Sequence, residues 1–197
     1  RFEAKGPTRV EDLAADWADL LAASKTTDDV QRPGTGPIGF VSFAFSDTSD
    51  AVSVVVVPHT LIGVRDGIWW QTTVEQLAAP DPTMSPPAAP AETPPSDVIF
   101  SDGAISSTSY AESVAAAVER INAGDLDKVV LARDLVATAT RPFDAAWIVA
   151  GLSESYPTTW AFSVDGLVGA TPELLVRREK RLLTSRVLAG TIRRTGD

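Results

Sequence analysis

Cysteine is absent from this chain of 197 residues, and histidine occurs once. The first absence excludes disulfides, thiolate zinc sites and thiol nucleophiles, and it suits a reducing compartment such as the cytoplasm. The second excludes multi-histidine metal clusters and leaves His59 as the only imidazole for acid–base work. No apolar run approaches the roughly 20 residues that span a bilayer, and the opening RFEAKGPTRVEDL lacks the apolar core of a secretory signal. These features predict a cytoplasmic protein with no membrane partner. A start at Arg1 rather than Met predicts that residues precede it. Basic residues are outnumbered, 17 Lys+Arg against 26 Asp+Glu, for a net charge of −9, which opposes non-specific nucleic-acid binding. What is present is an apolar fraction of 44% with five tryptophans, enough to build a core in one generous domain or two small ones.

The charge is uneven. Residues 174–197 hold seven basic side chains against Glu179 and Asp197, so this segment is +5 and the remainder −14. Such a run is either the solvated face of a hairpin or a positive lobe near an anionic ligand.

Periodicity sets out the elements. Thr8 and Glu11 have capping-box spacing, and Val10, Leu13, Ala14, Trp17 and Leu21 follow on one helical face. Residues 38–45 and 52–57 read as strands, the second β-branched enough for burial on both faces. Residues 60–64 and 68–74 flank Arg65-Asp66-Gly67, a hairpin signal. Seven of the fourteen prolines fall between 80 and 95, which predicts a flexible loop over about 80–97. Ser109 and Glu112 form a second capping box, and Gly124 sits where a left-handed helix end is expected. Lys128–Val136 reads as a strand, and Pro142 as the first residue of a helix. Residues 159–164 and 167–171 flank Asp165-Gly166 as a second hairpin, and 174–178 and 181–184 continue antiparallel pairing around Glu179-Lys180. Strands in runs with intervening helices predict an α+β fold with a largely antiparallel sheet.

Individual motifs are ambiguous by themselves. Gly34-Thr-Gly36-Pro-Ile-Gly39 matches the dinucleotide-binding pattern in letters only, because a strand rather than a helix follows it. Lys128 is either an exposed strand-end lysine or, against an apolar wall that favours the neutral amine, a general base. Glu173, after Thr171-Pro172, is either an edge charge or a carboxyl group that donates a proton. Leu188-Ala189-Gly190-Thr191 is a small-residue turn that lets backbone amides approach a carboxylate.

Three segments in order carry more weight together: Asp125-Leu-Asp-Lys-Val-Val-Leu-Ala-Arg133, Gly169-Ala-Thr-Pro-Glu-Leu-Leu175 and Ser185-Arg-Val-Leu-Ala-Gly-Thr191. They resemble the chorismate-utilising enzymes, which include isochorismate synthases, salicylate synthases, anthranilate synthase component I and aminodeoxychorismate synthase component I. The resemblance is strong over about residues 105–192 and loose before that. It implies an anthranilate synthase component I-like fold, an antiparallel β-sheet core flanked by helices. It also implies that residues 1–197 are the N-terminal portion of a single chorismate-binding domain, hence an incomplete one. Members that use water as nucleophile carry lysine where this chain has Lys128, and ammonia-using members carry glutamine. Ala189 stands where aminodeoxychorismate synthases carry a lysine nucleophile.

The resemblance therefore implies an isochorismate synthase, an isomerase that converts chorismate to isochorismate with Mg²⁺. Lys128 would be the general base for water attack at C2, and Glu173 the general acid at the departing C4 hydroxyl. Ala189, Gly190 and Thr191 would contact the substrate. The metal ligands would lie in a C-terminal half outside this chain, so this chain alone would be inactive and expose apolar surface. The alternatives are a salicylate synthase, which adds pyruvate elimination, a non-catalytic binding fragment, or an anion-binding module built on the basic run. Menaquinone, siderophore and salicylate synthesis are all compatible destinations for the product.

Overall fold

The computed structural model describes residues 1–75, 93–188 and 190. The chain divides into two compact units, residues 1–91 with 148–197, and residues 92–147. Helices accompany strands that are antiparallel in every described pairing, the expected mixed class. Among the described residues the strands form one three-stranded sheet and four two-stranded hairpins or ribbons.

In the first unit, β1 (Phe2–Ala4), β3 (Ser53–Val56) and β2 (Phe40–Ser42) form the three-stranded sheet with β3 central. The β-branched run that predicted double-sided burial is this central strand, and Ser53, Val54 and Val55 are all buried. α1 (Arg9–Ala23) packs against β1 and β3 and buries Leu13, which is worth about 1.5–3 kcal/mol for a side chain of this size. An apolar cavity of about 280 Å³ lies between its Val10, Ala14 and Trp17 and the strand residues Val41 and Val55. The helix is where its periodicity put it, but its cap is not a capping box. Thr8 has ψ near 3°, so its hydroxyl donates to Asp12 Oδ2 at 2.8 Å instead of accepting from the first turn. Arg9, buried at the foot of α1, donates to the carbonyls of Gly6, Ala44 and Phe45 and to Asp47. That clasp ends the strand expected over 38–45 at Ser42, because the following carbonyls turn toward the guanidinium instead of a neighbouring strand.

The hairpin β4 (Thr60–Arg65) and β5 (Ile68–Thr73) turns at Asp66 and Gly67, with φ of 52° and 76°. β8 (Trp160–Val164) and β9 (Leu167–Thr171) turn at Asp165 and Gly166, with φ of 50° and 86°. Both positions of such turns lie in the left-handed region, where Asp and Gly are tolerated. β10 (Leu174–Glu179) and β11 (Leu182–Arg186) turn at Lys180-Arg181, one residue later than expected, with Lys180 at φ 54°.

In the second unit, β6 (Ile99–Asp102) pairs with β7 (Leu135–Thr138), and α2 (Ser107–Asn122) lies between them in sequence. The cap of α2 is Ser106, whose hydroxyl accepts the Ser109 amide at 3.1 Å. The expected cap, Ser109, is thus already inside the first turn. At the other end Gly124 (φ 82°) donates to Ile121, and Asp125 to Arg120, the paired bonds of a left-handed helix end. α3 (Ala145–Ser155) begins in this unit and passes into the first at Ile148. Its opening is made by Asp144, whose Oδ1 accepts the amides of Ala146 and Trp147, and not by Pro142. Of the expected proline-rich loop, residues 80–92 lie outside the described residues, and 93–98 hold no helix or strand.

Candidate active site

Glu173 belongs to the first unit. Glu173 sits in the two-residue connection between β9 and β10, exposed. Its own N–H donates to Thr171 Oγ1 at 3.1 Å, and its Oε1 accepts the N–H of Leu188 at 3.0 Å. The second bond ties the carboxylate to Leu188, the first residue of the small-residue segment noted in the sequence. Gly190 is exposed, and among the described residues nothing lies within 4 Å of where a Cβ would stand. Ala189 and Thr191 lie outside the described residues.

Two features near Glu173 were not foreseen from the sequence. The β10–β11 register shifts between Leu174 and Arg177, a bulge at Leu175-Val176 immediately after the acid. Bulges re-aim side chains and interrupt pairing, and they recur next to active sites. Arg186, opposite Leu174, places its guanidinium 5.3 Å from the ring centroid of Trp160 on β8. An alternation argument applied to the two hairpins finds each strand, but it does not find a contact between them.

The basic run is only partly a free positive lobe. Glu179 accepts a hydrogen bond from Arg177, and Arg65 stands 3.6 Å away. The Arg177 hydrogen bond, with its charge and that of Arg65 adding, holds the Glu179 carboxyl below the usual carboxylate range.

Lys128 belongs to the second unit. Lys128 is exposed and lies in an irregular stretch between α2 and β7. The strand expected over Lys128–Val136 begins only at Leu135. A β-branched run becomes a strand where it has a ladder partner, and β6 is four residues long and pairs with 135–138 alone. Arg133 and Asp134 nevertheless have the partners that charged residues there require. Arg133 lies 5.8 Å from the Tyr110 ring centroid and 3.9 Å from Asp102, and Asp134 accepts the Ala104 amide at 2.9 Å.

His59, the one imidazole, is half-buried with Nδ1 3.1 Å from Thr60 Oγ1 at the start of β4. The Gly34–Gly39 stretch leads into β2, without a helix to meet a phosphate. Among the described residues no group of three or more His, Cys, Asp or Glu side chains could hold a metal ion. No helix among them is long and apolar enough to cross a membrane.

Compared with known proteins, the sequence falls into one class. A family model for the chorismate binding enzymes matches residues 1–197, and the chain belongs to that family. The match takes in the first hundred residues too, where the resemblance was expected to be loose. A MenF protein of Mycobacterium tuberculosis H37Rv, provisionally assigned as an isochorismate synthase, is 30% identical over 192 residues, which cover 92% of this chain and 45% of that protein. The isochorismate synthase MenF of Bacillus subtilis is 32% identical over 89 residues, 43% of this chain and 19% of that protein. The isochorismate synthase EntC of Escherichia coli K12 is 35% identical over 95 residues, 46% of this chain and 24% of that protein. The chain thus spans less than half the length of these relatives. No solved structure matches it.

Proposed function

We propose that this chain carries the acid and the base of an isochorismate synthase, which converts chorismate to isochorismate. Lys128 accepts a proton from the water that attacks ring carbon C2. Glu173 gives a proton to the C4 hydroxyl as it leaves with migration of the double bond. One water is consumed and one released, so the reaction is an isomerisation. Ala189, Gly190 and Thr191 contact the substrate through their turn. The observation that carries the reading is the hydrogen bond from Leu188 to Glu173, which attaches the acid to the residue just before Ala189 in sequence. Lys128 in place of glutamine favours water over ammonia as nucleophile.

In this reading the partner is the remainder of the domain, a C-terminal half that brings the Mg²⁺ ligands and further contacts to the substrate carboxylates. An exposed Lys128 supports the need for it, because a lysine works as a base where a low-dielectric surrounding favours the neutral amine. The chain alone is inactive. The product would feed menaquinone, siderophore or salicylate synthesis. The test joins this chain to the rest of its domain and analyses the products from chorismate with Mg²⁺. Isochorismate alone, lost about 10²-fold or more in Lys128→Ala and Glu173→Gln, is the expected result. Pyruvate with salicylate would make it a salicylate synthase. Chorismate binding without turnover would make it a binding module.

A further inference from the structure

We propose that Arg186 is a positioning residue for Glu173, acting through Trp160 and the end of β11. The functional consequence rests on reading Glu173 as the acid, while the structural one does not. A closed circuit of contacts surrounds the carboxylate. Trp160 is the cross-strand partner of Thr171 in the β8–β9 hairpin. Thr171 Oγ1 accepts the N–H of Glu173, and Glu173 Oε1 accepts the N–H of Leu188. Two residues before Leu188, Arg186 lays its guanidinium over the Trp160 ring at 5.3 Å and closes the circuit.

The circuit is needed because the ladder beside the acid is interrupted. The bulge at Leu175-Val176 separates the Leu174–Arg186 pair from the regular pairing that resumes at Arg177–Thr184. Beyond the bulge, the exit of β11 is held by that one pair, by the Ser185 hydroxyl on the Leu174 carbonyl at 3.3 Å, and by Arg186 on Trp160. Among the described residues no carboxylate lies within ion-pair distance of Arg186. Its charge is therefore spent on the indole face, a contact that fixes the plane of the guanidinium and with it the course of the backbone toward Leu188. A cation on an exposed strand end that holds one hydrogen bond in place also fixes the position of the acid.

Amide hydrogen exchange of this chain, read residue by residue by NMR, tests the structural claim. In Arg186→Ala the Leu188 amide exchanges about two- to five-fold faster, with the amides of the β4–β5 hairpin unchanged. Arg186→Lys, which keeps the cation and loses the plane, falls between. No change at Leu188, or an equal rise at every amide, would overturn the proposal. In the joined domain Arg186→Ala lowers kcat with KM held, and Arg186→Lys restores most of it. An unchanged kcat beside an inactive Glu173→Gln overturns the positioning role. Full activity of Glu173→Gln instead sinks the acid reading and leaves the exchange result standing.

Discussion

The N–H of Leu188 and the carboxylate of Glu173, fifteen residues apart, meet at 3.0 Å. Geometry and acidity can be separated at this contact. Glu173→Gln keeps an oxygen that accepts the Leu188 amide but cannot act as a general acid. Glu173→Ala removes both. In the chain as it stands, Leu188 amide exchange stays close to the parent in Glu173→Gln and rises in Glu173→Ala. In the joined domain both lose turnover, by about 10²-fold or more. Faster exchange in both variants alike would show that the carboxylate charge, and not its position, holds the turn.

Leu13 is the side chain through which α1 is anchored, 1% exposed between the helix and the central strand. Leu13→Ala would enlarge an apolar gap beside the existing cavity, which the half-exposed Val10, Val41 and Phe43 cannot fill without leaving their own positions. The expected loss is about 2–5 kcal/mol, read from chemical unfolding. Leu13→Met, which conserves volume, should cost less than about 1.5 kcal/mol.

Arg9 is a second anchor of a different kind. Its guanidinium serves three carbonyls and the Asp47 carboxylate, so Arg9→Met leaves several part-buried hydrogen bonds without their donor. Asp47 is mostly exposed, and the solvent screens its share of the pair. The expected loss is on the order of 2–4 kcal/mol by unfolding, with the greatest rise in amide exchange between residues 43 and 53. Asp47→Asn should cost far less.

These anchors mark the limit of what was legible. Asp66-Gly67 and Asp165-Gly166 announced their hairpins because a left-handed turn restricts which residues can stand there, and that restriction is local. The helical faces of α1 and α2 were legible for the same reason, their apolar spacing being a property of one segment. The caps were off by up to one turn, since Ser106 and Ser109 are chemically equal candidates and the chain's path before the helix decides between them. Residues 128–134 failed as a strand because their letters describe a side-chain pattern and not the presence of a ladder partner. The Arg9 clasp and the Arg186–Trp160 contact join residues far apart in sequence and leave no periodic trace. The role of Glu173 came from a resemblance in three segments, whereas its tie to Leu188 needed coordinates.

Asp144 and Asp28 predict how the chain responds to acid. The amide of Thr93, with those of Ala146 and Trp147, holds the Asp144 carboxyl below the usual carboxylate range. The Thr35 hydroxyl, with the Gln31 and Val30 amides, does the same for Asp28. A carboxyl depressed in the folded state stabilises it above the unfolded-state value, and that contribution is lost as pH falls through the folded-state value. The Ala146 and Gln31 amide shifts should therefore titrate at lower pH than a free aspartate, and Asp144→Asn should abolish the first titration. A midpoint at the ordinary carboxylate value for both would refute the assignment.

The apolar residues of β10–β11 and its exit give the last prediction. Leu175 is 88% exposed, Leu183 67% and Val187 79%, and in β6–β7 Ile99 and Phe100 are 70% and 68% exposed. Surfaces of this kind, on ribbons with unpaired edges, drive association. Sedimentation of the chain alone should show concentration-dependent self-association, reduced by the pair Leu183→Lys and Val187→Lys. The same pair in the joined domain discriminates between two origins of the exposure. If the remainder of the domain covers these faces, the double substitution buries two unpaired ammonium groups and destabilises the joined protein by several kcal/mol. If they face water there as well, the joined protein melts unchanged, and the proposal that a C-terminal half packs on this hairpin is lost.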